Sequence, residues 1–407
     1  METAVIIILI SEAVLCLVLL WKEGLAGTPY SFFTALCAVA LAFLLRSCVL
    51  DYRTPDYTDF LSRWVEFFRE NGGFAALDRP VGNYNIPYLY FLALFSYSDI
   101  YDLHLIKCLS FFFDVLLAYA SMKLLSRFTE SRGRLLASFL TVLFLPTVFL
   151  NSAVWGQCDS MYVSLALLGI YCAMDERPVP AMILAALSFG AKLQAVFILP
   201  VYAVLWMQGK FRLRDFLIFP LSYVLLVLPA VIAGRPFADT ILLYFSQTGS
   251  IGGGLNYNSP SLFALFGDIE NTAPASKLAT GAAFLYMFLI LAAAWTQKES
   301  LSDGSVMWAG FLLALGIPFL LPHMHERYFF ACDIFALLLS FALPRLSAAA
   351  PLSQFSSLLG YHAYLKRKYL LPMSCGSAAL ILLMITGFFG YGASLSGKNF
   401  KISRKSA

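Results

Sequence analysis

Apolar runs long enough to cross a bilayer recur along the whole chain, and polar segments separate them. They cover Ala4–Trp21, Phe32–Leu50, Leu105–Leu125, Leu135–Val154, Ser160–Met174, Phe216–Ala233, Leu278–Trp295, Val306–Leu321, Tyr328–Leu343 and Leu370–Tyr391. Between Pro178 and Met207 two shorter apolar pieces are interrupted by Gly190-Ala191-Lys192-Leu193-Gln194. That segment reads as a broken helix pair, which is tolerated at membrane depth where it lines a cavity. A hydrocarbon core takes roughly 20 helical residues per crossing, so the pattern predicts an all-α polytopic membrane protein with about 11–13 transmembrane helices.

The first long polar segment, residues 51–87, follows the second span. Phe60, Trp64, Phe67 and Phe68 recur there at helical spacing, with Arg63, Glu66, Arg69 and Glu70 on the other positions of the same turns. This is the pattern of an amphipathic helix lying at the membrane interface, and Gly72-Gly73 ends it. The second long polar segment, residues 234–277, contains Gly252-Gly253-Gly254, which reads as a loop over the site and lacks the strand and helix context of a nucleotide-binding loop.

Composition narrows the class. Of 407 residues, 60% are hydrophobic and only 13% charged, about half the charged share of a soluble domain. No polar segment is long enough to bury its own core, so residues 1–407 are expected to form one membrane-embedded domain. The first apolar run lacks a basic leader and a small-residue cleavage site and reads as a span. The net charge of +4 reflects basic loops and is no nucleic-acid signal. The eight cysteines show no CxxC or Cys/His metal spacing and behave as small hydrophobes.

Basic residues collect at Lys123/Arg127/Arg132/Arg134, Lys210/Arg212/Arg214 and Lys366/Arg367/Lys368. Placed in the cytoplasm, these clusters put residues 51–87 outside, together with 155–160, the break at Lys192, 235–277 and 322–327. By the same parity the basic tail Lys398–Lys405 lands outside, against the rule.

Four separated segments thus carry their unusual polar residues to one face: Asp56 and Asp59; Trp155, Gln157 and Asp159; Lys192 and Gln194; His325, Glu326 and Arg327. A carboxylate held at a membrane surface is costly to desolvate and is a candidate for chemistry. Structural readings stand beside this. Asp56, Thr58 or Asp59 can cap the interfacial helix and Asp159 the following span, Lys192 can snorkel to headgroups, and Glu326 can pair with Arg327. Asp51 is a third candidate base. Within an apolar run, Asp114 is expected to pair with a neighbouring helix and Lys107 to snorkel. His323-x-His325 lacks the further His or Cys that a zinc site needs.

Several motifs occur in a fixed order. They are Asp56-Tyr57-x-x-Phe60-Leu61-x-x-Trp64, Asn83-Tyr84, Pro87-Tyr88-Leu89-Tyr90, Trp155-Gly156-Gln157-x-Asp159-Ser160, Lys192-Leu193-Gln194 with an apolar run to Pro200, and Met324-His325-Glu326-Arg327-Tyr328. From Asp51 to Leu343 the set resembles polyprenyl-phosphate-dependent glycosyltransferases of the GT-C superfamily, in the bacterial branch similar to the GPI-anchor mannosyltransferases. The turn Asn85-Ile86-Pro87 departs from the family's proline-rich form by carrying a single proline.

The resemblance implies an enzyme of the bacterial plasma membrane that builds a cell-envelope glycan at the external face. It would move a hexose, mannose foremost, from a polyprenyl-phosphate carrier to a glycan, lipid or protein acceptor. Inverting transfer needs one base for the acceptor hydroxyl, and a phosphate leaving group needs cations where a glycoside hydrolase needs a second carboxylic acid. Asp56 is the expected base with Asp59 as its rival. Lys192, His325 and Arg327 are expected at the donor phosphate, and Trp155, Gln157, Asp159 and Glu326 at the sugar or acceptor. A divalent cation, Mg or Mn, bridging Asp56 and Asp59 to the phosphate is a further arrangement open to these residues. The rival function is a lipid-linked sugar flippase or other polytopic transporter.

Overall fold

A computed structural model of the chain describes residues 2–244, 253–267, 269 and 272–397. Chain order runs α1 (Thr3–Lys22), α2 (Pro29–Cys48), a loop carrying α3 (Ser62–Glu70) and α4 (Ile86–Phe95), then α5 (Asp102–Leu125), α6 (Arg132–Phe144), α7 (Pro146–Phe149), α8 (Asp159–Met174), α9 (Pro178–Ala191), α10 (Val201–Met207), α11 (Ile218–Ile232), α12 (Phe237–Ile241), α13 (Thr272–Thr296), α14 (Asp303–Leu320), α15 (Phe330–Ala342), α16 (Ala349–Lys366) and α17 (Met373–Leu395). Among the described residues the extended pairing is one short parallel ladder, Asn256 opposite Met324 and Tyr257 opposite His325.

Among the described residues, seven helices are long and apolar enough to cross a membrane: α1, α2, α5, residues 213–232 with α11, α13, α14 and α17. This is the polytopic all-α class expected, with fewer full-length spans than the 11–13 anticipated. The difference lies in shorter apolar helices, α8, α9 and α15 among them. Helices α5 and α14 are largely enclosed by the others, whereas α1, α2, α11, α13 and α17 turn most of their surface outward. Ile7, Leu44, Leu221, Leu285 and Phe389 are exposed on that outer surface, which suits contact with acyl chains.

The apolar run Leu135–Val154 is not one helix. It breaks at Leu145, where α6 and the segment from Pro146 to Trp155 meet at 42°. A residue before proline is driven out of the helical region, and Leu145 is extended with ψ 123°. The chain then winds through a wide turn, Leu150–Trp155, and closes on Gly156 at φ +77°, a left-handed conformation that glycine adopts without a Cβ penalty. The supposed broken pair at 178–207 resolves into α9, which ends at extended Lys192, and a return leg of the short helix Leu193–Phe197 followed by α10. Lys192 therefore marks a turn between two antiparallel passages.

In the first loop, the buried face of the interfacial segment is Tyr57, Leu61, Val65 and Phe68, while Phe60 is exposed. Of the four aromatics on the expected apolar face, Phe68 is buried, Trp64 and Phe67 are half-buried and Phe60 is exposed. Gly82 closes the loop over Trp64: at φ +62° it is left-handed, and a Cβ there would lie 2.3 Å from the Trp64 ring.

Helix α16 was not expected. Its polar positions are buried and bonded: Ser353 and Ser357 donate to Asp333 Oδ1 at 2.5 and 3.0 Å, and Gln354 Nε2 donates to Thr147 Oγ1 at 2.8 Å. This added passage corrects the topology. Lys366, Arg367 and Lys368 follow its end on the same face as Asp56, not opposite to it, because Tyr364 reaches Asp56 directly. The other two clusters lie at the far face, where Arg127 and Gln208 both bond Asp303 and Lys123 pairs with Glu23. Helix α17 ends at that far face too, since the Leu395 carbonyl accepts from Ser300 Oγ at 2.6 Å. The tail Lys398–Lys405 lies outside the described residues, as does Gly252 of the glycine run, but the parity conflict at α17 is removed.

Within the bundle, Asp114 pairs with Arg46 at 2.8 Å and also accepts from Ser152 and Ser160, each at 2.6 Å. Pairing with a neighbouring helix was expected. Lys107 does not snorkel: it is fully buried and donates to the Val49 and Tyr52 carbonyls at 2.8 and 2.7 Å. Both carbonyls follow α2, where the Val49 carbonyl also accepts from the Tyr52 amide at 3.1 Å, so the ammonium adds a positive charge at that helix C-terminus.

Candidate functional site

The turn from α2 into the first loop sets Asp56 against the wide turn that precedes α8. Thr54 fastens the two by donating to the Trp155 carbonyl at 3.1 Å. Asp56 Oδ2 then accepts from Trp155 Nε1 at 2.8 Å and Gln157 Nε2 at 2.9 Å. Its Oδ1 accepts from Tyr364 Oη at 2.7 Å. The Tyr364 ring stacks flat on Trp155, centroids 3.9 Å apart and planes within 10°. Three donors from two distant segments fix the carboxylate, and stacking fixes two of the donors.

One cation stands beside it and a second beside Asp159. Arg327 Nη1 lies 3.8 Å from Asp56 Oδ2, and its Nε lies 3.6 Å from Asp159 Oδ2. The guanidinium sits over the Trp155 ring at 5.2 Å. Burial alone would disfavour its charge, but the carboxylates of Asp159 foremost and of Asp56 hold Arg327 charged above the ordinary arginine range. The Nε–H is buried without a hydrogen-bond partner, its nearest counter-charge being the buried Asp159 carboxylate at 3.6 Å. Lys192 Nζ contacts Asp159 Oδ1 at 2.5 Å and Gln157 Oε1 at 3.4 Å.

Asp159 is a positioned counter-charge. Asn151 Nδ2 donates to its Oδ2 at 2.6 Å, the Asp159 amide donates back to Asn151 Oδ1 at 3.2 Å, and the Tyr361 hydroxyl lies 3.1 Å from the same Asn151 amide nitrogen. The wide turn makes this reciprocal bond possible by folding residue 151 over residue 159. Gln157 is oriented as well: its Oε1 accepts from Tyr84 Oη at 2.7 Å, so its amide nitrogen faces Asp56. Exposure separates the two carboxylates. Asp159 keeps 1% of its side-chain surface and Asp56 keeps 23%, so an incoming hydroxyl can reach Asp56 and not Asp159.

The structure therefore gathers Asp56, Trp155, Gln157, Asp159, Lys192 and Arg327. It does not bring in the rest. Asp59 is exposed and bonds its neighbour Thr58 at 3.3 Å. It shares no hydrogen bond with the Asp56 network. Among the described residues no group of three or more His, Cys, Asp and Glu side chains gathers for a metal ion. Asp51 lies apart, exposed and bonded to His104 Nε2 at 2.7 Å; that bond holds its carboxyl below the usual range. His325 stacks on Tyr257, centroids 4.7 Å apart, and Glu326 is buried beside Gly360, 3.6 Å from the His325 ring. Both flank Arg327 in sequence but contact other groups.

Tyr364, Asn151 and Tyr361 were missed. Asn151 fell inside an apolar run. The two tyrosines are three residues apart on a helix read as a loop, and the signal available was that spacing beside Gly360 in a Ser-rich stretch with helical period. Comparison with known proteins adds nothing to this geometry: no family model matches the chain, and no curated protein matches it.

Proposed function

We propose that the Asp56 site is a membrane glycosyltransferase site that moves a hexose, mannose by resemblance, from a polyprenyl-phosphate carrier to a hydroxyl acceptor. The observation that carries this reading is a partly open carboxylate held by three donors with a buried arginine 3.8 Å away. Asp56 takes the proton of the acceptor hydroxyl while that oxygen bonds to the anomeric carbon. The bond from that carbon to the phosphate oxygen breaks, and its electron pair leaves with the phosphate. Arg327 and Lys192 offset the charge that develops there. Asp159 keeps both cations in place between turnovers. The Trp155 and Tyr364 stack supplies an aromatic wall of the kind that packs against sugar rings.

The reading is tested by supplying the purified protein with labelled polyprenyl-phosphate hexose and membrane-extracted acceptors. Transfer that is lost in Asp56→Asn, with the protein still folded, supports it. A lipid-linked sugar flippase is the second reading, favoured by the Arg46–Asp114 pair buried within the bundle. Sugar movement across sealed vesicles without transfer would decide for it.

A further inference from the structure

Asp333 is fully buried in the first turn of α15, and among the described residues no ion pair engages it. Its Oδ1 accepts from Ser353 Oγ at 2.5 Å and from Ser357 Oγ at 3.0 Å, both on α16. Its Oδ2 is buried with no hydrogen-bond partner. A carboxylate enclosed in a membrane bundle is costly without a counter-charge. The N-terminus of α15 supplies roughly half a unit of positive charge, which leaves the other half unmet.

Oxygen atoms surround the orphaned one. Thr147 also faces the carboxylate, from the first turn of α7, directly after the break at Leu145-Pro146. Gln354 holds Thr147 there: its Nε2 donates to Thr147 Oγ1 at 2.8 Å, and its Oε1 accepts from the Thr147 amide at 3.1 Å. Discontinuous helices at membrane depth are where sodium and proton sites are built. One carboxylate with three hydroxyls is the donor set of a hard cation. A single negative charge balances a monovalent ion, whereas a divalent one would leave a net charge in a low dielectric. Oxygens crowded within 3.0 Å of one another suit sodium better than the larger potassium.

We propose that Asp333, Ser353, Ser357 and Thr147 form a sodium site that fastens α15 and α16 to the broken α6–α7 span. Ser357 and Tyr364 are about 10 Å apart along α16, so the bound ion steadies the helix that carries Tyr361 to Asn151 and Tyr364 to Asp56. The site stands whether or not the Asp56 centre transfers sugar. Full-length protein purified in detergent and choline chloride is titrated with NaCl or KCl at constant ionic strength while thermal unfolding is followed. Sodium should raise Tm saturably, by about 2 °C or more, and potassium should raise it less. Deuterium uptake over residues 349–366 should fall with the same sodium midpoint. Asp333→Asn strands no charge, so it should fold in choline and lose the sodium response, and Ser357→Ala should move the midpoint several-fold higher. A wild type equally stable in sodium and choline would overturn the site, whatever the variants do. A sodium response that persists in Asp333→Asn, that leaves uptake over 349–366 unchanged, or that potassium matches would overturn it too. No turnover is read, so failure here is distinct from failure of the transfer assay.

Discussion

Asp56 uses both oxygens: Oδ1 meets Tyr364, and Oδ2 meets Trp155 and Gln157. Each role gives a distinct expectation. Replacing Asp56, the proposed base, with Asn should lower transfer by about 100-fold or more, the usual scale of a lost general base, whereas Asp59→Asn should leave it near wild type because Asp59 is outside the network. Tyr364→Phe keeps the stack on Trp155 and removes one hydrogen bond to a charged group, about 1.5–3 kcal/mol. It should reduce kcat by about 10-fold or more with KM little changed, read in initial-rate kinetics; an equal kcat would make Tyr364 a packing residue only. Asp56, Gln157, Asp159, Lys192 and Arg327 were legible because each is a polar residue where the surrounding pattern is apolar or tightly turned. Asp59 was the natural rival from sequence because spacing alone cannot tell which carboxylate faces inward. The tyrosines were missed because their partners lie 308 residues away for Tyr364 and 210 for Tyr361, so their spacing showed a helix but not what it faces.

At the scale of elements, buried polar bonding explains both what the sequence hid and what holds the bundle together. Helix α16 escaped notice because its serines and Gln354 look like loop composition, yet they meet Asp333 and Thr147 inside the protein. The kink at Leu145-Pro146 was hidden in a continuous apolar run, although the proline itself was the available sign. Breaking the Arg46–Asp114 pair by Arg46→Ala leaves a carboxylate buried beside Ser152 and Ser160. The expected loss is about 3–5 kcal/mol, measurable as earlier thermal unfolding in detergent. The double variant Arg46→Met/Asp114→Leu, with no stranded charge, should regain much of it; if both unfold alike, the pair acts through packing and not through charge.

For the whole molecule, the hydrophobic pattern established the membrane class and most helix positions, while short helices and one unseen passage changed the topology. The positive-charge rule misplaced Lys366–Lys368 because the loop composition of α16 concealed a full return of the chain. This topology is checked by impermeant maleimide labelling of single cysteines in sealed vesicles, with the exposed native cysteines at 37, 48 and 375 replaced. Arg367→Cys should label from the same side as Asp59→Cys and from the opposite side to Arg212→Cys; a match between 367 and 212 would reject the fold described.

The most direct measurement is sugar transfer by the purified full-length protein from labelled polyprenyl-phosphate hexose to membrane-extracted acceptor, wild type against Asp56→Asn. The account predicts a labelled product with the wild type and about 100-fold less with the variant at unchanged thermal stability. Equal product from both, or none from the wild type while sugar crosses sealed vesicles, would contradict it.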